Sequence, residues 1–229
     1  GADAVYGGLA KFNARERAAN FSAADLGRLL DYAHSRGRRV YLTFNTLLKE
    51  SELGEAAEFL AELAKLRPDA LIVQDLAVIR LCRSYFPELV LHASTQMGIH
   101  NSAGIAAAAR RGIARVILER QVTLEELRAM AESSPVELEV FVHGSLCCSL
   151  SGRCLLSSAL GGWSGNRGKC KQPCRRRYRA EGAEGFLLSP RDLSAVSLIP
   201  EFRRLGIASL KVEGRLRSPD YVWKTVRAY

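Results

Sequence analysis

The sequence has 229 residues, of which 48% are hydrophobic, and this is enough for one α/β domain with a sizeable core. Its apolar runs are interrupted by charges well before the roughly 20 residues that cross a bilayer, and we find no signal peptide, so we expect a cytoplasmic protein without a membrane partner. The formal net charge of +9 favours an anionic partner over a basic one.

Seven short runs rich in Val, Ile, Leu and aromatic residues alternate with amphipathic segments along the chain. The runs are nearly continuous in hydrophobicity, as strands buried on both faces tend to be. We therefore predict strands that begin at Ala4, Arg39, Ala70, Leu89, Arg115, Leu138 and Ser209.

Helical signals fill the spaces between these strands. In the segment LGEAAEFLAELAKL the apolar residues recur at helical spacing, which places on one face Leu53, Ala57, Leu60 and Ala64. Thr123 and Glu126 form a capping-box pattern at the start of another helix. Ser218 followed by proline marks the start of the last helix in the same way.

The alternation of strands and helices predicts parallel pairing with right-handed crossovers. A doubly wound sheet would satisfy the same pattern, but polar residues recur at the carboxyl ends of the strands, where barrel enzymes build their active sites. These residues are Asn45, Gln74, Asp75, His92, Ser94, Glu119, His143 and Glu213. We predict a (β/α)8 TIM-barrel-like α/β fold, with residues 1–229 forming a single catalytic domain.

Both ends of the chain have the character of internal sequence. The first residues are GADAVYGG without an initiator methionine, and the last, TVRAY, lie within a predicted helix. We expect a fragment of a longer protein, in which truncation removed the first strand of the barrel.

Residues 146–184 break the alternation and are predicted to form a cysteine-rich basic insertion after the sixth strand, at the barrel mouth. Four cysteines here follow the pattern C-x6-C-x15-C-x3-C, and they are Cys147, Cys154, Cys170 and Cys174. A disulfide framework does not suit a large cytosolic α/β protein. Zinc sites favour short C-x2–4-C pairs, which only the last two cysteines match, whereas iron–sulfur clusters accept more irregular spacing. Spacing alone leaves open an iron–sulfur cluster, a zinc ion, and unligated buried or redox-active thiols.

The same region carries most of the positive charge. Residues 140–180 contain eight basic side chains and no acid, which accounts for +8 of the net charge of +9. This concentration predicts a surface that binds RNA phosphates, with Tyr178 available for stacking. A solvated segment and a counter-charge for a metal cluster are the alternatives. The predicted RNA-binding residues are Arg167, Lys169, Lys171, Arg175, Arg176, Arg177 and Arg179.

The stretch EVFVHGSLCCSLSGRCLLS, residues 139–157, resembles the signature of the collagenase-like peptidase family U32. The blocks GADAVYGG, HASTQ, SGNRGKCKQPCRRRY, LSPRDLS and KVEGRLRSPDYV resemble further blocks of that family, in the family's order. The resemblance therefore covers essentially the whole chain. The matching signature positions are Glu139, Phe141, Gly144, Ser145, Leu146, Cys147, Gly152, Cys154, Leu156 and Ser157.

The family resemblance implies a barrel-like catalytic domain and a choice of activities. Several members are hydroxylases that work without dioxygen on a tRNA uridine, a ribosomal RNA cytidine or the ubiquinone ring, and the block GGWSGNRGKCKQPCRRRY is most similar to the ribosomal RNA branch. By this resemblance, a [4Fe–4S] cluster would be held by Cys147, Cys154, Cys170 and Cys174. Prephenate would be the oxygen source of the RNA-modifying members. Cys148 departs from the signature and is expected to be a bystander.

Two alternative functions remain open. The family name indicates a peptidase, which needs an activated nucleophile or a metal-bound water. The sequence contains neither HExxH nor GxSxG, and only Cys147 with His143 would offer a Cys–His pair. The second alternative is a zinc-stapled RNA-binding module without catalysis.

Four polar residues at the strand ends are candidate catalytic residues: His143, His92, Glu213 and Arg215. Each histidine suits either proton transfer or a structural hydrogen bond. Glu213 and Arg215 either pair with each other or clamp a substrate carboxylate, since arginine binds carboxylates in a bidentate manner. The sequence indicates no oligomeric state.

Overall fold

A computed structural model of the chain describes residues 1–9, 11–15, 20–214 and 216–229. Within these ranges the strands are β1 (Ala4–Gly8), β2 (Arg39–Phe44), β3 (Ala70–Val73), β4 (Leu91–Ala93), β5 (Ile113–Ile117), β6 (Glu137–Gly144), β7 (Tyr178–Ala180), β8 (Ala183–Gly185), β9 (Leu193–Ser194) and β10 (Ser209–Val212). The α-helices are α1 (Ala23–His34), α2 (Leu53–Leu66), α3 (Leu76–Tyr85), α4 (Ser102–Ala109), α5 (Leu124–Ser133), α6 (Leu156–Gly161), α7 (Ile199–Arg204) and α8 (Pro219–Ala228).

The main sheet is parallel and curled, in the order β1-β2-β3-β4-β5-β6-β10, and the short strand β9 pairs with β6 in the antiparallel sense. All seven predicted strands are confirmed. The expected barrel without its first strand is seen as a half-barrel, in which β1 and β10 end the path without pairing with each other among the described residues. A closed barrel needs a backbone ladder on both sides of every strand. Side chains make a contact between the β1 and β10 ends of the sheet, where the Tyr6 hydroxyl lies 3.4 Å from Glu213 Oε1.

The two faces of the sheet are packed differently. Toward the helices lies a large apolar core, whose fully buried members include Leu26, Leu60 and Leu91. The concave face carries a small apolar cluster around Tyr41 and Ile72 and, beside it, buried charged side chains. The concave face is therefore the one equipped for polar chemistry.

The helix signals are confirmed with one adjustment. Thr123 and Glu126 form the predicted capping box, and Ser218 caps α8 with Pro219 in its first turn. In α2 the fully buried residues are Ala56, Leu60 and Leu63, whereas the other predicted face residues are only partly buried. The predicted face residues therefore lie along one edge of the buried helix face. The bulky Leu63 is buried more deeply than the neighbouring Ala64.

The segment after β6 forms the helix α6 and then the exposed β7–β8 hairpin before the chain returns to the sheet at β9. That residues 146–184 are an insertion into a regular barrel stays a prediction. None of the helices in the described ranges combines the length and the apolar character needed to cross a membrane.

Candidate functional site

A cavity of about 740 Å³ lies at the carboxyl ends of the parallel strands. Inward-facing strand residues form its floor, and its rim comes from the following loops and from the cysteine-rich segment 146–184. The four cysteines that the sequence singled out all line this cavity: Cys147, Cys154, Cys170 and Cys174. Cys148 is exposed and does not line it.

One buried amide holds the cysteine-rich segment against the strand ends. The Asn166 Nδ2 group donates to Gln74 Oε1 at 3.1 Å and to the Gly152 carbonyl at 3.3 Å. Its Oδ1 atom accepts from the backbone N–H of Leu47 at 2.9 Å. A buried amide that satisfies both of its polar ends fixes geometry strongly, because an unmade hydrogen bond there would be costly. Asn166 therefore sets the position of the segment over the cavity.

A second attachment lies at the end of β5. Glu119, which is buried, accepts hydrogen bonds from the backbone N–H and the hydroxyl of Ser151 at 3.2 and 3.0 Å. Gly152 follows with φ of +75°, and an added Cβ there would lie 3.0 Å from the Gln96 Cβ. A side chain here would be strained by the positive φ and crowded against Gln96, so the position favours glycine.

The cysteine sulfurs differ in their surroundings. Cys170 Sγ accepts from the backbone N–H of Gln172 at 3.4 Å and from the Ser157 hydroxyl at 3.7 Å. Burial raises the pKa of Cys147, and burial together with Cys148 raises the pKa of Cys174 to about 11. Free thiols with raised pKa values stay protonated at neutral pH, so binding a metal here would release protons.

The cysteines share the cavity without forming a complete ligand shell. Among the described residues, no three histidine, cysteine or acidic side chains converge closely enough to hold a metal ion. The donor set, four sulfurs with N–H and O–H groups directed at one of them, is nevertheless of the type that iron–sulfur clusters use. The residues fit such a group chemically, and the group itself remains a prediction.

Glu213 lies on the cavity floor, at the end of β10. Its carboxylate lies 3.4 Å from each of three donors, the Tyr6 hydroxyl and the guanidinium groups of Arg15 and Arg120. Gly144 packs against Glu213 with φ of +112°. A Cβ added to Gly144 would lie only 2.8 Å from the Glu213 Cβ, which is too close. The structure thus places the predicted residue Glu213 in the site. Its predicted neighbour Arg215 lies outside the described residues.

The sequence interpretation missed a buried ion pair beneath Glu213. Lys211 Nζ lies 2.8 Å from Glu139 Oε1, and the carboxylate of Glu139 also lies 3.2 Å from Arg115. The Lys211 ammonium stands 4.0 Å from the centre of the Tyr6 ring and lines the cavity. The sequence did contain a signal for this pair. Lys211 and Glu213 are separated by one residue in an otherwise apolar stretch, and alternate residues of a strand share a face.

His143 lies outside the lining of this cavity. In the β6–β10 pairing, Lys211 faces Phe141 but Val212 faces His143, so β6 contains one extra residue, Val142. Such a bulge reverses the alternation of side chains. His143 therefore contacts α8 and the chain end, where its Nδ1 atom lies 3.2 Å from the Tyr229 hydroxyl.

His92 also lies away from the cysteines. It occupies the middle of β4, not its end, and lines a second cavity of about 770 Å³ at the amino ends of the strands. It is 4% exposed and packs against the Tyr41 ring at 4.9 Å between centroids. Its Nδ1 atom has no hydrogen-bond partner among the described residues. Burial and, secondly, the Arg115 guanidinium lower the pKa of His92 from 6.5 to about 4.

This low pKa predicts a pH-dependent stability. Above pH 6.5 His92 is neutral in both the folded and the unfolded chain. Between pH 6.5 and about pH 4, His92 is protonated in the unfolded chain but stays neutral in the folded chain. His92 should therefore cost about 1.4 kcal/mol of unfolding free energy per pH unit as the pH falls through this window. Urea unfolding of the wild type and His92→Phe at several pH values tests this. A difference between the two proteins that stays constant from pH 7 to pH 4.5 would contradict it.

Two of the predicted RNA-binding arginines form hydrogen bonds and ion pairs within the chain. Arg167 donates to the Leu47 carbonyl at 2.7 Å and forms an ion pair with Glu52. Arg175 donates to the Leu146 carbonyl at 2.8 Å and also contacts the loop before β9. Both guanidinium groups tie the cysteine-rich segment to its surroundings.

The remaining predicted RNA contacts lie closer to solvent. Arg176, Arg177 and Arg179 are exposed at and before the β7–β8 hairpin, where the last two share Glu184 at 3.7 and 3.0 Å. Tyr178 is partly buried, with its hydroxyl donating to the Pro173 carbonyl. Cys170 is flanked by Lys169 and Lys171, and the ammonium of Lys171 lies 4.0 Å from the centre of the Trp163 ring. These three arginines are the part of this set that offers exposed guanidinium surface.

Sequence comparison adds family information to this geometry. The sequence model described as peptidase family U32 matches residues 1–229. The whole chain aligns with 59% of an uncharacterized protease, MJ0090, of Methanocaldococcus jannaschii at 39% identity. It aligns with 57% of tRNA hydroxylation protein P1 of Bacillus subtilis at 33% identity. It also aligns with 35% of the 23S rRNA 5-hydroxycytidine C2501 synthase of Escherichia coli at 36% identity. The chain thus spans less than two thirds of the length of each of these relatives.

A comparison of folds agrees with the curled sheet. The solved structure of the U32 peptidase Mk0906 superposes with a TM-score of 0.63, covering 92% of this chain and 84% of that one. The sequences are 15% identical over the match, so the likeness concerns the fold alone.

Proposed function

The chain belongs to peptidase family U32, and from this membership we propose that it hydroxylates a nucleobase of ribosomal RNA or tRNA without using dioxygen. The names of the B. subtilis and E. coli relatives support RNA hydroxylation as the activity class. The observation that carries the proposal is the lining of one cavity by four cysteines of a basic segment, at the strand ends where barrel enzymes carry their sites.

The proposed cofactor is a [4Fe–4S] cluster held by Cys147, Cys154, Cys170 and Cys174. A cluster of this kind would supply one-electron transfer at the cavity. The N–H and O–H groups directed at the Cys170 sulfur support this assignment, because hydrogen bonds to the sulfurs stabilise negatively charged clusters. A zinc ion on the same cysteines is the alternative cofactor.

The proposed RNA surface is the exposed arginine group of the β7–β8 hairpin, Arg176, Arg177 and Arg179. These side chains come two to five residues after Cys174, which lines the cavity, so phosphates bound by them would lie near it. A nucleobase can reach a cavity of this depth only when it is unstacked, since chemistry on a paired base requires its removal from the helix. We therefore expect the target to be an unpaired or flipped nucleotide.

The proposed co-substrate is a small carboxylate, with prephenate as the candidate oxygen source. The cavity suits a small anion with an apolar body, since its lining combines Lys211 and Arg217 with the rings of Tyr6 and Phe141. Glu213 would orient the arginines around such a molecule.

A peptidase activity is the second candidate, because one relative, from Porphyromonas gingivalis, is named collagenase and is 31% identical over the whole chain. The geometry gives it little support. The imagined pair of Cys147 and His143 is not formed, since the β6 bulge turns the histidine toward α8 while the cysteine lines the cavity.

A gene deletion tests the proposed activity. Ribosomal RNA and tRNA from the deletion strain are digested to nucleosides, and hydroxylated pyrimidines are measured by mass spectrometry. We expect one hydroxylated nucleoside to disappear and to return when the gene is restored. Complementation with Arg128→Met, which removes a charge on the outer face of α5, serves as the control and should also restore it. An unchanged set of hydroxylated nucleosides would refute the proposal.

A further inference from the structure

Arg120 occupies an unusual position between the floor of the cavity and the cysteine-rich segment. It follows the end of β5, and its side chain is 10% exposed. The guanidinium lies over the Phe141 ring at 4.1 Å, and its Nη1 group donates to the Ser145 carbonyl at 2.6 Å. Since Ser145 precedes Cys147 by two residues, Arg120 holds the start of the segment that carries the cysteines.

The positive charge of Arg120 is only partly compensated. Its Nη2 atom lies 3.4 Å from Glu213, and the same carboxylate oxygen is shared with Arg15 at the same distance. The buried Nε atom of Arg120 has no hydrogen-bond acceptor in the described part of the chain. A buried cation is costly unless an anion accompanies it. Because Arg120 shares the Glu213 carboxylate and its Nε atom has no acceptor in the described part of the chain, its guanidinium can attract a further negative charge.

The cysteines that line the same cavity are the nearest groups that could supply that negative charge. Cys147 and Arg120 line the same cavity, and the neighbouring Gln121 donates to the Cys147 carbonyl at 3.5 Å. The Arg120 Nη1 group bonds to the Ser145 carbonyl, two residues before Cys147, so the guanidinium lies close to the part of the chain that carries this sulfur.

We propose that Arg120 is a positioning residue that raises the reduction potential of the cluster, an inference that rests on the proposed iron–sulfur function. Reduction adds one electron, taken from an external low-potential one-electron donor, and neither makes nor breaks a bond. The negative charge on the four cysteines and their irons then increases by one. A buried guanidinium beside Cys147 stabilises the reduced form more than the oxidised one, because attraction is strong where water is excluded.

Redox titration of the full chain, purified anaerobically and reduced with dithionite, tests this inference. In Arg120→Met we expect iron and sulfide to be retained and the reduction equilibrium to fall at least tenfold, a shift of about 59 mV to more negative potential. Arg120→Lys keeps the charge and should shift less. Glu213→Gln removes the counter-charge of Arg120 and should shift the potential in the opposite, positive direction. Arg128→Met, with its charge on the outer surface, is the matched control.

The outcomes separate this inference from the proposed function. A wild-type protein without iron would overturn the cofactor and the inference together. A wild-type cluster with unchanged potentials in Arg120→Met and Glu213→Gln would overturn only the role of Arg120. If Arg120→Met fails to hold a cluster, Glu213→Gln decides: a positive shift supports the inference, and a shift no larger than that of Arg128→Met overturns it.

Discussion

Cys170→Ser should release nearly all of the iron from the anaerobically purified protein and abolish its brown colour. A serine hydroxyl does not replace a thiolate as a ligand for iron at neutral pH, and Cys170 is the sulfur that receives N–H and O–H donors from its neighbours. Iron and acid-labile sulfide analysis, with the visible absorption spectrum, measures the effect. When both proteins are compared without iron, the unfolding transition should change little, because this side chain is exposed.

The matched control for Cys170→Ser is Cys148→Ser, which removes an exposed thiol from the same segment. We expect this variant to retain its iron. Loss of iron in Cys148→Ser with retention in Cys174→Ser would show that the fourth ligand is Cys148. Zinc in place of iron in the wild type, lost in Cys170→Ser, would identify the site as a zinc site.

Glu139→Gln should lower the free energy of unfolding by about 3–5 kcal/mol, because it leaves Lys211 and Arg115 buried without their shared counter-charge. Glu139 is 2% exposed. Burial alone would raise the pKa of Glu139, but the contacts with Lys211 and Arg115 hold this pKa below its ordinary value. The glutamine keeps the shape of the side chain, so the loss measures charge and not packing. Urea denaturation at pH 7 gives the difference.

The control for Glu139→Gln is the other acidic partner of Arg115. The Glu137 carboxylate lies 2.7 Å from the same guanidinium, but its side chain is 55% exposed. Glu137→Gln should cost less than about 1 kcal/mol, since exposed ion pairs contribute little. Equal losses in the two variants would contradict the view that burial makes the Glu139 pair important.

The parallel sheet was predictable because its strands are buried on both faces, which leaves continuous apolar runs in the sequence. Periodicity could not reveal the β6 bulge, since one extra residue at Val142 depends on pairing with β10, far along the chain. His143 was therefore assigned to the site and lies outside it. His92 was assigned to the carboxyl end of the run LVLHAS, but it occupies the middle of the short strand β4 and lines the cavity at the amino ends of the strands.

The cysteines were predictable as a group, since their spacing within one basic segment is unusual, and all four line one cavity. The partners of the basic residues were not predictable. Arg167 and Arg175 were assigned to RNA from local charge, but they contact carbonyls and acids that only the fold brings near. Arg120 went unnoticed because a single arginine after a strand carries no motif.

The attachment of Asn166 has a consequence for the order of assembly during folding. Its side chain bonds to Leu47, Gln74 and Gln96, which precede it by 119, 92 and 70 residues. Contacts between such distant parts of a chain form late, because closing long loops costs entropy that only an existing framework repays. The strand ends must therefore be in place before the cysteines are gathered over them. By this reasoning the four thiols come together late, and a metal bound by them would be loaded after the sheet is built.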